Sequence, residues 1–248
     1  MDEFFTLEGT TEVSILITGQ TTNAVATALV TYEVVNLVFE SDYDVSKVYD
    51  LTAEVIDPLV INYSIFGSSN LKYIDWYIDG EYLETDTIQG GTAEAIVDNK
   101  RFSVVEMTHG VHNIQFRAYV VVNGEKFYTD TIYKEFMIVR DSENMDPMVS
   151  IEMVIPKEYA ISKVAKLYGV VQYELYSINY GVYNPKNLEY VSVNIYIDDV
   201  LLSTVNAPNG KELTLSFAAS ESGDKTLRFN IGDYNKDIIT EVSSTVLP

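Results

Sequence analysis

The fold of this chain can be read from eight residues, Tyr73-Ile74-Asp75-Trp76-Tyr77-Ile78-Asp79-Gly80. Ile74, Trp76 and Ile78 alternate with Asp75, Tyr77 and Asp79, which is the period-two pattern of a strand buried on one face. The final pair, Asp79-Gly80, favours a tight turn. The stretch therefore predicts a strand that carries an indole into a core and ends in a turn.

A second copy of this pattern lies further along the chain, at Tyr196-Ile197-Asp198-Asp199. Two other pairs of segments agree in the same order: Tyr63-Ser64-Ile65 with Tyr180-Gly181-Val182, and residues 110–116 with residues 223–229. Ordered agreement at three separate places predicts a duplicated module rather than chance likeness between β-rich segments.

The remaining apolar runs are short and are separated by residues that favour turns, and no segment has a convincing helical period. Strands are predicted at Arg101–Met107 and Val111–Val122, and as one continuous run at Leu167–Val182. Asn123-Gly124 is a strong hairpin signal. The chain is therefore predicted to be all-β.

The length of 248 residues is enough for two domains that each bury a core. A polar segment at 141–147 ends in Pro147 and has the composition of an interdomain linker. We therefore expect an N-terminal arm or extra strands at 1–25, a first domain at 26–140 and a second domain at 148–248.

A unit of about 100 residues with about seven short strands is typical of an immunoglobulin-like sandwich. Trp76 resembles the core tryptophan of the third strand in that family, and His112 and Ile114 stand where its sixth strand has tyrosine and cysteine. Ile195 and Lys225 replace Trp76 and His112 in the second half, and the chain has no cysteine. The resemblance implies two tandem immunoglobulin-like β-sandwiches with an N-terminal β-strand extension, but not antibody-type domains.

The inward positions of the two repeats are assigned to the structural core. This core comprises Ile74, Trp76, Ile78, His112, Ile114, Phe116, Ile195, Ile197, Leu227 and Phe229. His109 and His112 are the only histidines, and residues three apart on a strand point to opposite faces. We therefore expect a structural histidine rather than a metal-binding or catalytic pair.

The tandem also resembles the immunoglobulin-like modules in tail, collar and fibre proteins of phages that infect gut Bacteroidetes. The resemblance rests on Trp76–Gly80, on Thr108–His112 and on Val182-Tyr183-Asn184-Pro185. It implies a non-enzymatic spacer or connector in a virion, with other virion proteins as partners and a homo-oligomer, commonly a trimer in fibres. The alternative is a carbohydrate-binding or adhesin module of a Bacteroidetes surface protein, which would lie on the bacterial cell and contact a glycan.

Composition excludes several classes of function. The chain has 37 acidic and 16 basic residues and a formal charge of -21, so its surface repels phosphate groups and we expect neither nucleic acid nor membrane as a partner. The absence of cysteine excludes thiolate sites. No nucleophile elbow, phosphate loop or dinucleotide fingerprint is present, so we expect no enzyme activity and no cofactor.

Three acidic residues near the predicted linker, Asp141, Glu143 and Asp146, are weak candidates for a calcium site between the domains. Calcium takes six to eight oxygen ligands, so three carboxylates are too few without help from both domains. A solvated linker is the favoured interpretation, and no metal site is predicted.

Two sets of apolar or aromatic residues are candidates for surface contacts. The run from residue 24 to 39 is apolar on both faces and predicts a subunit or partner interface through Ala24, Val30, Val34, Leu37 and Phe39. Four tyrosines at predicted outward positions could contact a glycan or pack within the sheet and at interfaces: Tyr77, Tyr82, Tyr119 and Tyr196.

If Trp76 is a core residue, Trp76→Ala will lower the free energy of unfolding by about 3–5 kcal/mol, because it removes a large buried ring. Urea unfolding followed by circular dichroism measures this loss. Tyr82→Ala, at an outward position, is the control and is expected to change stability by less than about 1 kcal/mol. A Trp76→Ala variant with the parent's unfolding midpoint would place this strand outside the core.

Overall fold

The computed structural model describes residues 9–18, 25–34, 37–140, 146–186 and 189–244, the first two ranges by their backbone only. All regular structure within these residues is β-strand. None of them forms a helix that is long and apolar enough to cross a membrane. The predicted fold class, all-β with two tandem immunoglobulin-like sandwiches and an N-terminal strand extension, is confirmed.

The N-terminal extension is a hairpin of two strands, β1 (Gly9–Thr18) and β2 (Val25–Val34). The strands pair antiparallel, with Gly9 opposite Val34, and form a two-stranded sheet of their own. The sequence-based boundary at residue 25 divided these strands between an arm and the first domain. The structure instead pairs them with each other, and the strands of the first sandwich begin at Leu37.

The first sandwich contains nine strands: β3 (Leu37–Asp42), β4 (Val48–Asp50), β5 (Leu59–Gly67), β6 (Leu71–Ile78), β7 (Glu81–Gln89), β8 (Ile96–Phe102), β9 (Gly110–Val122), β10 (Glu125–Tyr128) and β11 (Thr131–Val139). One sheet has the order β3-β5-β8. The facing sheet has the order β4-β11-β9-β6-β7, with β10 paired to the end of β9.

The second sandwich contains eight strands: β12 (Met148–Ile155), β13 (Lys166–Val171), β14 (Tyr176–Tyr183), β15 (Tyr190–Ile197), β16 (Val200–Pro208), β17 (Glu212–Phe217), β18 (Gly223–Ile231) and β19 (Tyr234–Ser243). Its strands follow the order of the first sandwich, with β12-β14-β17 facing β13-β19-β18-β15-β16. In both units a short strand pairs in parallel with the last strand, β4 with β11 and β13 with β19. The two halves of the chain therefore share one topology.

The duplication extends to irregular backbone positions. The turn after β6 has positive φ at Asp79 (50°) and Gly80 (74°), and the turn after β15 has positive φ at Asp198 (46°) and Asp199 (64°). Two positive φ angles are what a type I′ hairpin turn requires. A bulge also precedes each turn, between Trp76 and Tyr77 and between Ile195 and Tyr196.

Three strand assignments from sequence were wrong or missing. Residues 103–107 are a turn rather than a strand, although the alternation of buried Phe102 and Val104 imitates one. The predicted run at 167–182 is two strands, because the chain turns at Tyr173, where φ is 65°. The sequence did not reveal β7, since this edge strand is largely exposed and lacks an apolar stripe.

Trp76 lies in the core of the first sandwich and is fully buried. Its ring centroid is 5.0 Å from that of Phe116 and 5.4 Å from that of Phe102. The indole Nε1 donates a hydrogen bond to Asp86 Oδ2 at 3.0 Å, so the only polar atom of the ring is satisfied. The second core is built around Tyr180 and Phe229, whose ring centroids are 5.1 Å apart.

The two sandwiches are joined through a continuous sheet. β11 pairs antiparallel with β12, with Thr131 opposite Ile155 and Lys134 opposite Glu152. This pairing connects one sheet of each sandwich into a nine-stranded sheet that contains the order β17-β14-β12-β11-β9-β6-β7. Residues 141–147, predicted as a linker between separate domains, therefore connect two neighbouring strands of one sheet.

Candidate functional site

The junction between the sandwiches contains two of the four buried charged residues in the part of the chain that is described, Lys134 and Glu135. Lys134 forms an ion pair across it. The side chain of Lys134 is 2% exposed, and its Nζ lies 2.9 Å from Glu152 Oε1. Nζ also donates to the carbonyl oxygen of Tyr43 at 3.3 Å. Because Lys134 and Glu152 lie opposite each other on β11 and β12, this pair joins the two sandwiches.

Glu135, the next residue of β11, accepts three hydrogen bonds at the junction. The hydroxyl of Tyr133 donates to Oε1 at 2.9 Å, the backbone NH of Ile151 donates to Oε2 at 3.0 Å, and Lys236 Nζ pairs with Oε2. Burial, together with the negative charge of Glu135, raises the pKa of the Tyr133 phenol well above its usual range, so Tyr133 remains a donor. A buried carboxylate with this many donors is satisfied, whereas removing one partner would leave a costly unpaired charge.

A loop of the second sandwich, residues 156–165, contacts the outer face of β9. Ser162 NH donates to Gln115 Oε1 at 3.2 Å, and Gln115 Nε2 donates back to the carbonyl of Ser162. Asn113 Nδ2 donates to the carbonyl of Lys163 at 3.4 Å. Gln115 is fully buried, so these bonds satisfy polar groups that the contact removes from water.

Residues 45 and 46, which precede β4, also contact the second sandwich. Val45 NH donates to Glu212 Oε2 at 3.1 Å, and Ser46 Oγ donates to the carbonyl of Gly210 at 3.1 Å. This segment passes so close to β14 that a Cβ at Gly181 would lie 2.5 Å from Ser46 Cα. Gly181 is therefore required by close backbone approach, not by its φ angle.

A second polar cluster recurs in both repeats, at the turn after β6 and the turn after β15. Asp79 Oδ1 accepts the NH of Asn113 at 2.9 Å, and Asp79 Oδ2 lies 2.6 Å from His112 Nδ1. In the second sandwich Asp198 accepts the NH of Thr226 at 2.9 Å and pairs with Lys225 at 3.0 Å. Each turn is thus fixed to the neighbouring strand by a carboxylate that pairs with a basic side chain.

The electrostatics of the first cluster favour its charged form. The hydrogen bond from Asp79 raises the pKa of His112, an effect that burial only partly offsets. Burial alone would raise the pKa of Asp79, but the bonds from His112 and the NH of Asn113 outweigh it and lower that pKa. His109 is exposed and lies outside β9, so the structure does not bring the two histidines together at one site.

The predicted core residues lie as follows. Eight of them face one of the two cores and are buried or packed against it: Ile74, Trp76, Ile78, Ile114, Phe116, Ile195, Leu227 and Phe229. Ile197 is partly buried against the second core. The His112 side chain is 12% exposed and bonds to Asp79, with its ring centroid 5.9 Å from that of Phe136.

The candidate interface residues divide into three groups. Ala24 lies outside the described residues, and Val30 and Val34 are described only by their backbone in β2. Leu37 and Phe39 pack against the core of the first sandwich, and the Phe39 ring centroid is 5.8 Å from that of Phe116. These two side chains therefore also contribute to packing within the chain.

The candidate glycan-contacting tyrosines are less accessible than their pattern predicted. Tyr119 is only 6% exposed, so of its two candidate roles the structure favours packing within the sheet over contact with a glycan. Its ring stacks on Tyr73 at 4.8 Å and lies 5.0 Å from that of Tyr128. Tyr77 and Tyr196 are half-buried, so only Tyr82 of the four, at 58%, is well exposed.

The structure adds nothing to the calcium candidates. Asp141 and Glu143 lie outside the described residues, and Asp146 is exposed. Within the part of the chain that is described, no three histidine, aspartate or glutamate side chains form a group able to hold a metal ion.

The charged residues of the junction were missed by the sequence pattern. One signal was present, because Lys134-Glu135 interrupts the otherwise apolar run from Ile132 to Val139. A charged pair in the middle of a buried strand usually has partners, since lone buried charges are costly. Those partners, Glu152 and Lys236, are distant in sequence and could not be named without the fold.

Comparisons with known proteins do not assign the chain to a family. No family model and no curated protein matches it. Solved structures similar to it include an ICAM-5 D1–D4 ectodomain fragment, at 12% identity over 96% of this chain and 62% of that one, with a TM-score of 0.34.

Two other similar structures are arrays of domains. The central fibronectin-III array of RIM-binding protein is 12% identical over 75% of this chain and 65% of that one, with a TM-score of 0.27. The I9–I11 tandem from titin is 8% identical over 85% and 100% of the two chains, with a TM-score of 0.25. The chain spans less than two thirds of the ICAM-5 and RIM-binding protein structures. At these identities and TM-scores the likeness says nothing about function.

The Asp79–His112 pair is expected to make stability depend on pH. Because its folded pKa is raised, His112 contributes fully below about pH 6.5 and loses its contribution as the pH rises through that folded value. The lowered pKa of Asp79 means that its contribution is present above about pH 3.9 and is lost as the pH falls further. The pair therefore stabilises most between these limits.

We expect the difference in urea midpoint between the parent and His112→Gln to be largest near about pH 5.5 and smaller at about pH 8.5. Lys225→Gln, at the equivalent position, is the matched control. The difference in urea midpoint between Lys225→Gln and the parent should stay constant between these two pH values. The ordinary pKa of a lysine already lies above both, and the pKa of Lys225 is raised further. Equal pH profiles for the two variants would contradict the assignment.

The close approach at Gly181 gives a second prediction. Gly181→Ala is expected to lower the free energy of unfolding by about 1–3 kcal/mol, because the new methyl group would collide with the backbone of Ser46. Ser192→Ala, an exposed change on β15, is expected to have little effect. Chemical denaturation measures both, and equal stability of Gly181→Ala and the parent would show that the junction is looser than described.

Proposed function

We propose that the chain is a non-enzymatic spacer or connector in a virion appendage such as a phage tail, collar or fibre. The observation that carries this proposal is the joined sheet, because it couples two sandwiches without a free linker. A spacer must hold two attachment regions at a fixed separation, and a shared sheet with buried ion pairs resists hinge motion better than a polar linker does.

The positions of the ionisable groups at the junction support the same role. Lys134 pairs with Glu152 and Lys236 pairs with Glu135, and none of these four side chains lines one of the described pockets. Perturbed groups in catalytic sites usually face a cleft where a substrate can reach them. These groups hold two units together instead, which suits a structural protein.

The resemblance to phage modules supplies the virion setting, with other virion proteins as partners and assembly in the host cytoplasm. The adhesin alternative would need an exposed aromatic platform. Of the four tyrosines that the sequence analysis selected, only Tyr82 is well exposed, because Tyr119 is buried and Tyr77 and Tyr196 are half-buried. We therefore propose the connector role ahead of a glycan-binding role at a bacterial surface.

An antiserum against the purified chain tests the proposal. It is used on phage particles purified by density gradient from the host culture that encodes the chain, and on outer-membrane and cytosolic fractions of the uninfected host. We expect the chain to copurify with particles at a fixed ratio to the capsid protein. Its presence in the outer membrane of uninfected cells, together with retention on a glycan array, would overturn the proposal in favour of the adhesin.

A further inference from the structure

β16 is the last strand of its sheet, and one of its edges has no strand partner among the described residues. Its sequence, VLLSTVNAP, contains no charged residue. Every other described strand at the edge of a sheet carries at least one charge. Charges on edge strands discourage pairing with other chains, so β16 lacks this protection although the chain as a whole carries -21.

The first sandwich provides a comparison, because β7 is the strand equivalent to β16. Thr85 of β7 lies opposite Asp75 and donates a hydrogen bond to it, as Thr204 of β16 does to Asn194. β7 contains three acidic residues, and β16 has uncharged residues at the three equivalent positions. Two copies of β7 would repel each other, whereas two copies of β16 would not.

The register of β16 shows which of its backbone groups face away from β15. The NH of Asn209 donates to the carbonyl of Glu189 at 3.0 Å. Backbone groups of an antiparallel strand point to its two sides alternately, so this bond places those of Thr204 and Asn206 on the open side. Pro208, the next residue on that side, has no NH to leave unpaired. We call the open side from Thr204 to Pro208 the β16 edge.

The two ends of β16 are complementary to each other. The exposed apolar residues Val200–Leu202 lie at its start, directly after the exposed Asp199. The exposed Tyr190 lies beside its end, and the exposed Lys211 follows. Antiparallel pairing of two β16 strands brings the start of each beside the end of the other, so apolar residues meet a tyrosine and an acid meets a base. The partner that fits this edge is therefore a second copy of it.

We propose that the β16 edge pairs antiparallel with the β16 edge of a second copy of this chain. The pairing joins the five-stranded sheets of two chains into one sheet across a two-fold axis. Because the same edge is used on both sides, the contact closes as a dimer and leaves no further β16 edge free. The dimer goes beyond the connector role, and it can be tested on the purified chain alone.

The free backbone groups and the charges select one register, with the two-fold axis at Val205. Thr204 then lies opposite Asn206 of the second chain, and each of these pairs exchanges backbone hydrogen bonds in both directions. The same register places Asp199 opposite Lys211 of the second chain. Both the hydrogen bonds and the charge pairs occur twice in the dimer because of the symmetry.

Cysteine cross-linking tests the register, because the chain has no cysteine of its own. A chain with Thr204→Cys is mixed with a chain with Asn206→Cys under mild oxidation. We expect more disulfide-linked dimer from this mixture than from either variant alone, because only the mixed pair lies directly opposite. Thr85→Cys mixed with Thr87→Cys, the equivalent positions of β7, is the matched control. Equal cross-linking in the two mixtures would contradict the proposal.

A proline at the β16 edge separates pairing between chains from folding of the chain. Asn206→Pro removes an NH that faces the open side and leaves the pairing with β15 intact, so the variant should stay folded by circular dichroism. In sedimentation at about 100 µM we expect the parent to be a dimer, and Asn206→Pro to raise the dissociation constant at least about tenfold. Thr87→Pro, at the equivalent position of β7, should leave the dissociation constant unchanged.

Asn206→Glu is a second variant that keeps the backbone NH. It places a carboxylate on each β16 edge beside the other chain, and we expect it to weaken the dimer in the same direction. A parent that is monomeric at about 100 µM, or a dimer that both Asn206→Pro and Asn206→Glu leave unchanged, would overturn the proposal.

Charge reversal tests the pairing of the two ends. Lys211→Glu brings like charges together at two places in the dimer and should raise the dissociation constant about three- to tenfold. Adding Asp199→Lys to that variant restores opposite charges and should restore association. Lys157→Glu, the same charge change at an exposed residue after β12, should have no such effect. Equal effects of Lys211→Glu and Lys157→Glu would contradict this register.

This result is independent of the test on virions. A monomeric chain that copurifies with particles would remove the β16 dimer and leave the connector role intact. A dimeric chain that is absent from particles would do the reverse.

Discussion

The pairing of β11 with β12 is the interaction on which the rest of this structure depends. It makes one sheet out of a layer of each sandwich, so Tyr133 of the first sandwich becomes part of the core of the second. The same geometry buries Lys134, which pairs with Glu152, and Glu135, which pairs with Lys236. The backbone pairing thus brings about the side-chain network, and the network in turn penalises any separation of the strands.

The repeat shows which features the sandwich needs and which it can exchange. Both copies retain the type I′ turn, the preceding bulge and the carboxylate that fixes the turn to the neighbouring strand. The partner of that carboxylate changes from His112 to Lys225, and the tryptophan at position 76 becomes Ile195. Burial at the first position and a basic side chain at the second are therefore retained, whereas the indole and the imidazole are not required by the fold.

Sequence patterns predicted the local features of this fold well and the long-range ones poorly. The alternation around Trp76 predicted its burial, and the repeat predicted equivalent turns at Asp79 and Asp198, because these depend on residues close together in the chain. The segment at 141–147 was interpreted as a linker because it is polar. A polar composition is expected both for a linker between separate domains and for a connection between two strands of one sheet. Whether the strands before and after it pair with each other depends on register and packing, which composition does not encode.

The same limit applies to the candidate sites. Outward positions such as Tyr119 follow from strand periodicity, but their burial depends on neighbours such as Tyr73 and Tyr128, which come from other strands. No sequence pattern marked Gly181 as important. A side chain is excluded at this position only because the backbone of Ser46, which is distant in sequence, lies against it. The local pattern therefore predicted on which face of a strand each residue lies, whereas tertiary packing determines which of those faces are exposed to solvent.

The central claim, that the two sandwiches form one cooperative unit, is tested most directly by comparing their unfolding midpoints. Trp76 is the only tryptophan, so its fluorescence in urea reports the first sandwich alone. Pulsed hydrogen exchange of β15 and β18, read by mass spectrometry at the same urea concentrations, reports the second. The account predicts coincident transitions with one midpoint. Two separate midpoints would show that the sandwiches unfold independently and that the shared sheet does not couple them.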